Sequence, residues 1–201
     1  MLFVLMTLDI TRNKKYILKS IISAKLTNKE IKEICLLKDK EWTFGIKGQL
    51  AWFKNNIKKY DLHNFFYLKS KLVGYTLLRK RTYEIKKSNK EAYYLVLEQK
   101  FKRGEDKKTK YLLFDTLVID KKYRGKNLSR LLMNFNNIII KESGLFSFLI
   151  CEDKLVNYYI KNKWKKLNKK VFKIIDPPFT GNGMIYNKSN FNKKGFFYIN
   201  K

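Results

Sequence analysis

Residues 123–132 read Tyr-Arg-Gly-Lys-Asn-Leu-Ser-Arg-Leu-Leu, residue types suited to holding phosphate. A basic turn that opens a helix presents unpaired backbone N–H groups at the positive end of the helix dipole, the setting a pyrophosphate needs. Arg124 and Lys126 add side-chain charge to the same turn. Just upstream, Asp115 interrupts the apolar run YLLFDTLVI over 111–119. A carboxylate desolvated in such a strand is a candidate proton acceptor. The alternative is that Asp115 pairs with a lysine on a neighbouring strand, and Glu98 is the second candidate base. Other chemistries lack their parts. His63 is the single histidine, and Cys35 and Cys151 stand apart without a CxxC. This argues against a His/Cys metal site and weakens the case for a Ser-His or Cys-His nucleophile, and no metal is expected.

These residues need elements to position them. The apolar run predicts a strand over 111–119, followed by a basic loop and a helix over 128–141. Leu128, Leu131, Leu132, Phe135, Ile138 and Ile139 recur at the helical spacing of one buried face. Gly144 ends this helix, LFSFLIC over 145–151 predicts a second buried strand, and 154–164 a second helix. Strand, helix, strand in this order makes a βαβ unit with two parallel strands and a right-handed crossover. Upstream, 16–26 predicts a strand, and Thr27 with Glu30 has the spacing of a capping box for a helix over 28–39. Ile31, Ile34, Cys35 and Leu37 or Lys38 give that helix its apolar side, and a helix over 47–59 faces inward with Leu50, Phe53 and Ile57. A hairpin joins 65–70 to 72–81, a further strand spans 93–101, and 102–110 is a charged loop. Strands at 170–176 and 183–187 flank the Pro177-Pro178 break. With no internal repeat, one domain is expected over 1–188, followed by a basic tail over 189–201.

The loop resembles the acyl-CoA-binding loop of the GNAT acyltransferase superfamily, whose pattern after a strand is R/Q-x-x-G-x-G/A. Arg124 falls on its first position, Asn127 on its first glycine and Ser129 on its last small residue. Asparagine is the non-glycine residue that best tolerates left-handed backbone angles. Downstream, Tyr158-Tyr159-Ile160-Lys161-Asn162-Lys163-Trp164 resembles the family's F-Y-x-K-x-G-F segment, with Lys163 in place of glycine and Trp164 in place of phenylalanine. Seven residues before Tyr159, where the family often has asparagine, stands Glu152.

The resemblance spans about residues 15–188, with its specific motifs in 112–164. It implies an α+β fold: a central mixed, mostly antiparallel sheet with one parallel βαβ unit and helices on both faces. It implies acetyl-CoA as acyl donor, with Arg124, Gly125, Lys126, Asn127, Leu128 and Ser129 around its pyrophosphate. The backbone N–H groups of Leu117, Val118 and Ile119 would bond the pantetheine and thioester, and Tyr159 would protonate the departing thiolate. The alternative for Tyr159 is core packing with Leu155 and Tyr158. Asp115 would take the amine's proton, directly or through water. The acceptor pocket would lie among the first two helices, the 84–110 region and the C-terminal segment. Trp42, Trp52, Asp61, His63, Gly74, Arg79 and the 177–183 turn are its candidate wall residues. His63, just before a strand, reads first as a capping or turn residue rather than a catalytic one.

Composition bounds the partners. A chain of 201 residues with 45% hydrophobic and 15% aromatic residues folds around a core. Lys plus Arg is 45 against 17 Asp plus Glu, a net charge of +28, which excludes an acidic scaffold. Only 6 of those 45 are arginine, the residue that nucleic-acid recognition favours for its bidentate geometry, so the charge reads first as compositional drift on solvated surface. The alternative is a true anionic partner: nucleic acid, an acidic acyl carrier protein or a phosphorylated substrate. Met1–Met6 is apolar but too short to span a bilayer and lacks signal-peptide features, so a cytoplasmic protein without membrane partners is expected. The leading reading is N-acetyl transfer to a small-molecule amine such as an amino sugar or aminoglycoside-like compound, by a monomer or homodimer. The alternatives are an acyltransferase acting on a protein amine or aminoacyl-tRNA, and a nucleic-acid-binding module with a vestigial CoA loop.

Overall fold

A computed structural model of the chain describes residues 4–11, 14–85, 109–176, 180–188 and 195–198. The expected strand at 93–101 and Glu98 lie outside them. The described strands are β1 (Val4–Thr11), β2 (Lys14–Ile22), β3 (Leu62–Leu68), β4 (Lys71–Ile85), β5 (Thr109–Ile119), β6 (Ser147–Cys151), β7 (Lys165–Lys166), β8 (Phe172–Asp176), β9 (Asn182–Tyr186) and β10 (Gly195–Tyr198). The helices are α1 (Asn28–Asp39), α2 (Gly45–Asn56), α3 (Leu128–Glu142) and α4 (Asp153–Lys161). The sheet runs β1-β2-β3-β4-β5-β6-β9-β7, with β10 pairing both β4 and β8. Neighbours are antiparallel except β5 with β6 and β8 with β10. The expected βαβ unit is therefore β5-α3-β6, and β8 with β10 adds a second parallel pair.

Local chemistry sets the boundaries. Thr27 accepts from the Glu30 N–H while the Glu30 carboxylate accepts from the Thr27 N–H, so the capping box forms and α1 begins where the sequence places it. Such a cap is worth about 1 kcal/mol. The β3–β4 hairpin turns at Lys69, whose φ is 54°. Alternate strand residues feed two cores. Phe66, Val73, Leu112, Phe114 and Ile119 pack beneath α3 and α4. Phe65, Tyr75, Leu77 and Val118 pack beneath α1 and α2, so helices cover both faces.

Two helix faces differ from expectation. In α2, Leu50 is 40% exposed and Gln49 is buried instead. Gln49 Nε2 donates to the Trp42 carbonyl at 2.7 Å, which satisfies the buried amide and ties α2 to the end of α1. In α3, Ile138 is exposed while Met133, Asn136, Asn137 and Ile140 are buried, so more than one stripe faces the protein. Asn136 Oδ1 accepts from Asn64 Nδ2 at 2.9 Å and Thr76 Oγ1 at 3.0 Å, pinning α3 to β3 and β4. Asn137 donates to the Asn162 carbonyl and accepts from Trp164 Nε1, both at 3.0 Å, pinning α3 to the end of α4.

The segment expected as a tail from residue 189 contains β10. Phe197 is fully buried and stacks on Phe148 at 3.9 Å, apolar contact that overrides the surrounding lysine and asparagine.

Candidate active site

The site begins with a break in sheet regularity. Leu77 faces Thr116 and Leu78 faces Phe114, so Asp115 is an extra residue on β5, a β-bulge. The bulge shifts strand phase by one. Leu112 and Phe114 share the α3 side with Leu117 and Ile119, a change from even to odd positions across Asp115. Pairing of β5 to β6 is confined to Leu112 with Ser147 and Leu113 with Phe148. From Phe114 onward the two parallel strands diverge, leaving one edge of β5 open.

Backbone donors face that opening. The Asp120 N–H donates to the Val73 carbonyl of β4. Counting back at the two-residue period, Leu117 and Ile119 turn their N–H groups to the open edge and Val118 turns its own toward β4. Of the three residues expected as backbone donors, two are so placed.

The basic loop follows directly. Asp120 caps a short 3-10 turn by accepting from the Lys122 N–H. Gly125 and Asn127 both take left-handed backbone, φ 77° and 56°, and Asn127 opens α3. Among the described residues, no acceptor takes the N–H groups of Gly125 through Ser129. Arg124, Gly125, Lys126 and Asn127 are exposed, Ser129 is half-buried and Leu128 is buried beneath the loop. Five free donors at a helix N-terminus, among exposed lysines, fit a pyrophosphate. Arg124 does more than add charge. Its Nε donates to the Ile119 carbonyl at 3.0 Å and its guanidinium pairs with Glu41, tying the loop to β5 and to the α1–α2 junction. Glu152 is exposed, precedes α4 and pairs with Lys154 at 2.7 Å.

Tyr159 lies on α4 against the α3 side of the sheet. It is 7% exposed, and its ring meets Phe114 edge-on at 6.2 Å and Trp164 at 5.9 Å. Burial, reinforced by Cys151 and Tyr158, raises its pKa well above the usual phenol value, so the hydroxyl keeps its proton. The end of α4 explains the motif around it. The Trp164 N–H bonds the Tyr159 carbonyl and the Lys163 N–H the Ile160 carbonyl, a Schellman motif with Lys163 at φ 69°. The position where the resembling family has glycine is thus left-handed, and the following aromatic buttresses Tyr159. Tyr158 points its buried hydroxyl toward Ser129 of the loop.

On the opposite face lies a cleft of about 260 Å³, lined by Lys38, Trp42, Phe44, Gln49, Trp52, Asp115 and Thr116. Its floor is the bulge. The expectation of a buried Asp115 is corrected: the bulge lifts it outward, with its side chain 25% exposed, and it pairs with Arg79 at 3.3 Å rather than with a lysine. Trp42 and Trp52, two of the expected wall residues, line this cleft. Asp61 and His63 are not among the lining residues. Asp61 is fully buried in an ion pair with Arg81 at 2.9 Å. His63 sits inside β3, its Nε2 2.8 Å from Ser23 Oγ and its Nδ1 2.7 Å from Tyr75 Oη. Burial, with the Lys38 charge, pulls the His63 pKa down to about 3 and keeps the ring neutral. Gly74 lies beneath α3, where a Cβ would meet Ile119 Cδ1 at 2.6 Å. Arg79 reaches the cleft through Asp115. Residues 177–179 of the expected turn and 86–108 of the expected pocket region lie outside the described residues. Lys38, Phe44, Gln49 and Thr116 escaped the sequence reading. A lysine on the core stripe of α1 was the signal for the first.

No protein-family model matches the chain, and no curated protein matches it. Solved structures do. An acyl-CoA N-acyltransferase from Pseudomonas aeruginosa superposes with a TM-score of 0.57 at 15% identity, over 86% of this chain and 99% of that one. The GNAT-family N-acetyltransferase YhbS from Escherichia coli, in complex with CoA, gives 0.57 at 13% identity over 98% and 91%. Escherichia coli ElaA gives 0.52 at 14% identity over 85% and 98%. The diverging parallel pair, the bulge and the loop opening α3 therefore stand within a known architecture: this chain has the GNAT fold.

Proposed function

We propose that the chain is an acyl-CoA-dependent N-acyltransferase that moves an acetyl group from acetyl-CoA to a primary amine of a small molecule. The observation that carries this reading is the opening between β5 and β6, which has the five free N–H groups of Gly125–Ser129 at one end. Tyr159 lies on one face of that opening and the Asp115 cleft on the other. The open-edge N–H groups of Leu117 and Ile119 hold the donor, and the Gly125–Ser129 donors with the loop lysines take its pyrophosphate. The acceptor enters from the cleft. Its nitrogen attacks the thioester carbonyl carbon, a C–N bond forms and the C–S bond breaks. The amine's proton passes to Asp115, directly or through a water, and Tyr159 gives its proton to the departing thiolate.

The test is thiol release from acetyl-CoA by the purified chain against a panel of small primary amines, with mass detection of the acetylated product. The expected result is turnover that Tyr159→Phe lowers by about 10²-fold or more while acetyl-CoA affinity stays near the parent value. Equal turnover in Tyr159→Phe removes the tyrosine from the mechanism. Absence of thiol release with every amine removes the small-molecule acceptor.

A further inference from the structure

Lys38 is an unusual residue to bury. It lies on the inner stripe of α1 beside Ile34, Cys35 and Leu37 and is 6% exposed. Its Nζ stands 3.5 Å from the centre of the Trp52 ring and lines the cleft. Among the described residues it makes no ion pair and no side-chain hydrogen bond. The charges around it do not balance. Arg79 shares the same Trp52 ring at 5.8 Å and takes Asp115, while Asp61 is consumed by Arg81. Lys40 and Arg124 are matched by Asp120 and Glu41. Among the described residues, two cations, Lys38 and Arg79, therefore face one carboxylate, and one positive charge is left over in an aromatic-walled cleft. A desolvated charge without a partner is costly, and a single anion removes the cost. Burial pulls the Lys38 pKa down to about 8 against the opposing pull of Asp115 and Cys35, and an anion seated there would hold the proton on.

We propose that the acceptor is an amine that also carries a carboxylate, an amino-acid-type molecule, with its carboxylate on Lys38, its amine at Asp115 and its apolar part against Trp42 and Trp52. The proposal rests on the N-acyltransferase reading and narrows its substrate class. One leftover charge matches one carboxylate, whereas a phosphate dianion would call for further donors. A cleft of about 260 Å³ suits a single amino acid rather than a multi-ring amino sugar.

The test starts without acetyl-CoA, so it does not depend on acyl transfer. Two of the chain's three tryptophans line the cleft, so intrinsic fluorescence reports its occupancy. The probes are phenylalanine and leucine, each paired with the amine that lacks its carboxylate, phenethylamine and isoamylamine. The carboxylated member of each pair is expected to bind about ten- to a hundred-fold tighter, the worth of a hydrogen bond to a buried charge. Lys38→Met should bring that ratio toward about one, and Lys38→Arg should keep part of it. Methionine retains the apolar stem and removes the unmatched charge, so melting of Lys38→Met should be no lower than the parent's. Equal or tighter binding of the decarboxylated amines overturns the proposal, as does no binding of any probe. In thiol-release assays the same preference should appear in kcat/KM. A loss of turnover in Lys38→Met that falls equally on both members of each pair overturns the proposal and makes Lys38 a proton-transfer group. A preference for carboxylated probes without any acetyl-CoA binding leaves the cleft assignment standing while the transferase reading falls.

Discussion

Asn127 and Lys163 hold left-handed backbone at the two places where the resembling motifs carry glycine. The cost differs between them. Asparagine tolerates these angles, and its carbonyl starts α3, so Asn127 substitutes for glycine at little strain. Lysine has no such compensation, and a non-glycine residue in this region costs about 1 kcal/mol or more. Lys163→Gly is therefore expected to raise the melting temperature by about 2–4 °C, measured by thermal denaturation, without moving the sheet. An unchanged or lower melting temperature would mean that the lysine side chain repays its strain. At this scale the placement of the loop before α3 and of Tyr159 on α4 was legible, because residue type and spacing are local signals. The exposure of Asp115 was not, because a bulge is created by the pairing partner and leaves no mark in the strand's own residues. Lys38 read as one doubtful position of an apolar stripe; its meaning comes from Trp52, Arg79 and Asp115, which only the fold brings to it.

The elements that carry the site were the most readable. The β5-α3-β6 unit and α1 follow from long periodic segments and a capping box, signals confined to neighbouring residues. β1, β7 and β10 were missed; the two-residue β7 and the lysine-preceded β10 take their identity from the strands beside them. Element geometry also changes the role of Arg124. With Nε on the Ile119 carbonyl and its guanidinium on Glu41, it fixes the end of β5, the loop and the α1–α2 junction as one unit. Arg124→Ala is expected to weaken acetyl-CoA binding by about tenfold, the scale of one lost charge-assisted bond, read by calorimetry. Unchanged affinity would separate the loop's donors from this brace.

At the scale of the whole molecule, ten described strands form one sheet with helices on both faces, and the opening between β5 and β6 connects those faces. In the proposed reaction the donor side and the acceptor side would thereby be kept apart except at the bulge. No helix among the described residues is long and apolar enough to cross a membrane. The charge of +28 is spread widely: Lys141, Lys163, Lys165 and Lys188 border a second hollow, separate from the lysines of the α3 loop. Nucleic-acid binding driven by that charge would weaken steeply with salt, whereas donor binding fixed by backbone N–H groups would change less. Calorimetric titration of the purified chain with acetyl-CoA at low and high salt tests the central claim most directly. One site per chain with an affinity in the micromolar range at both salt concentrations is the predicted result; absence of binding, or binding abolished by salt, would contradict it.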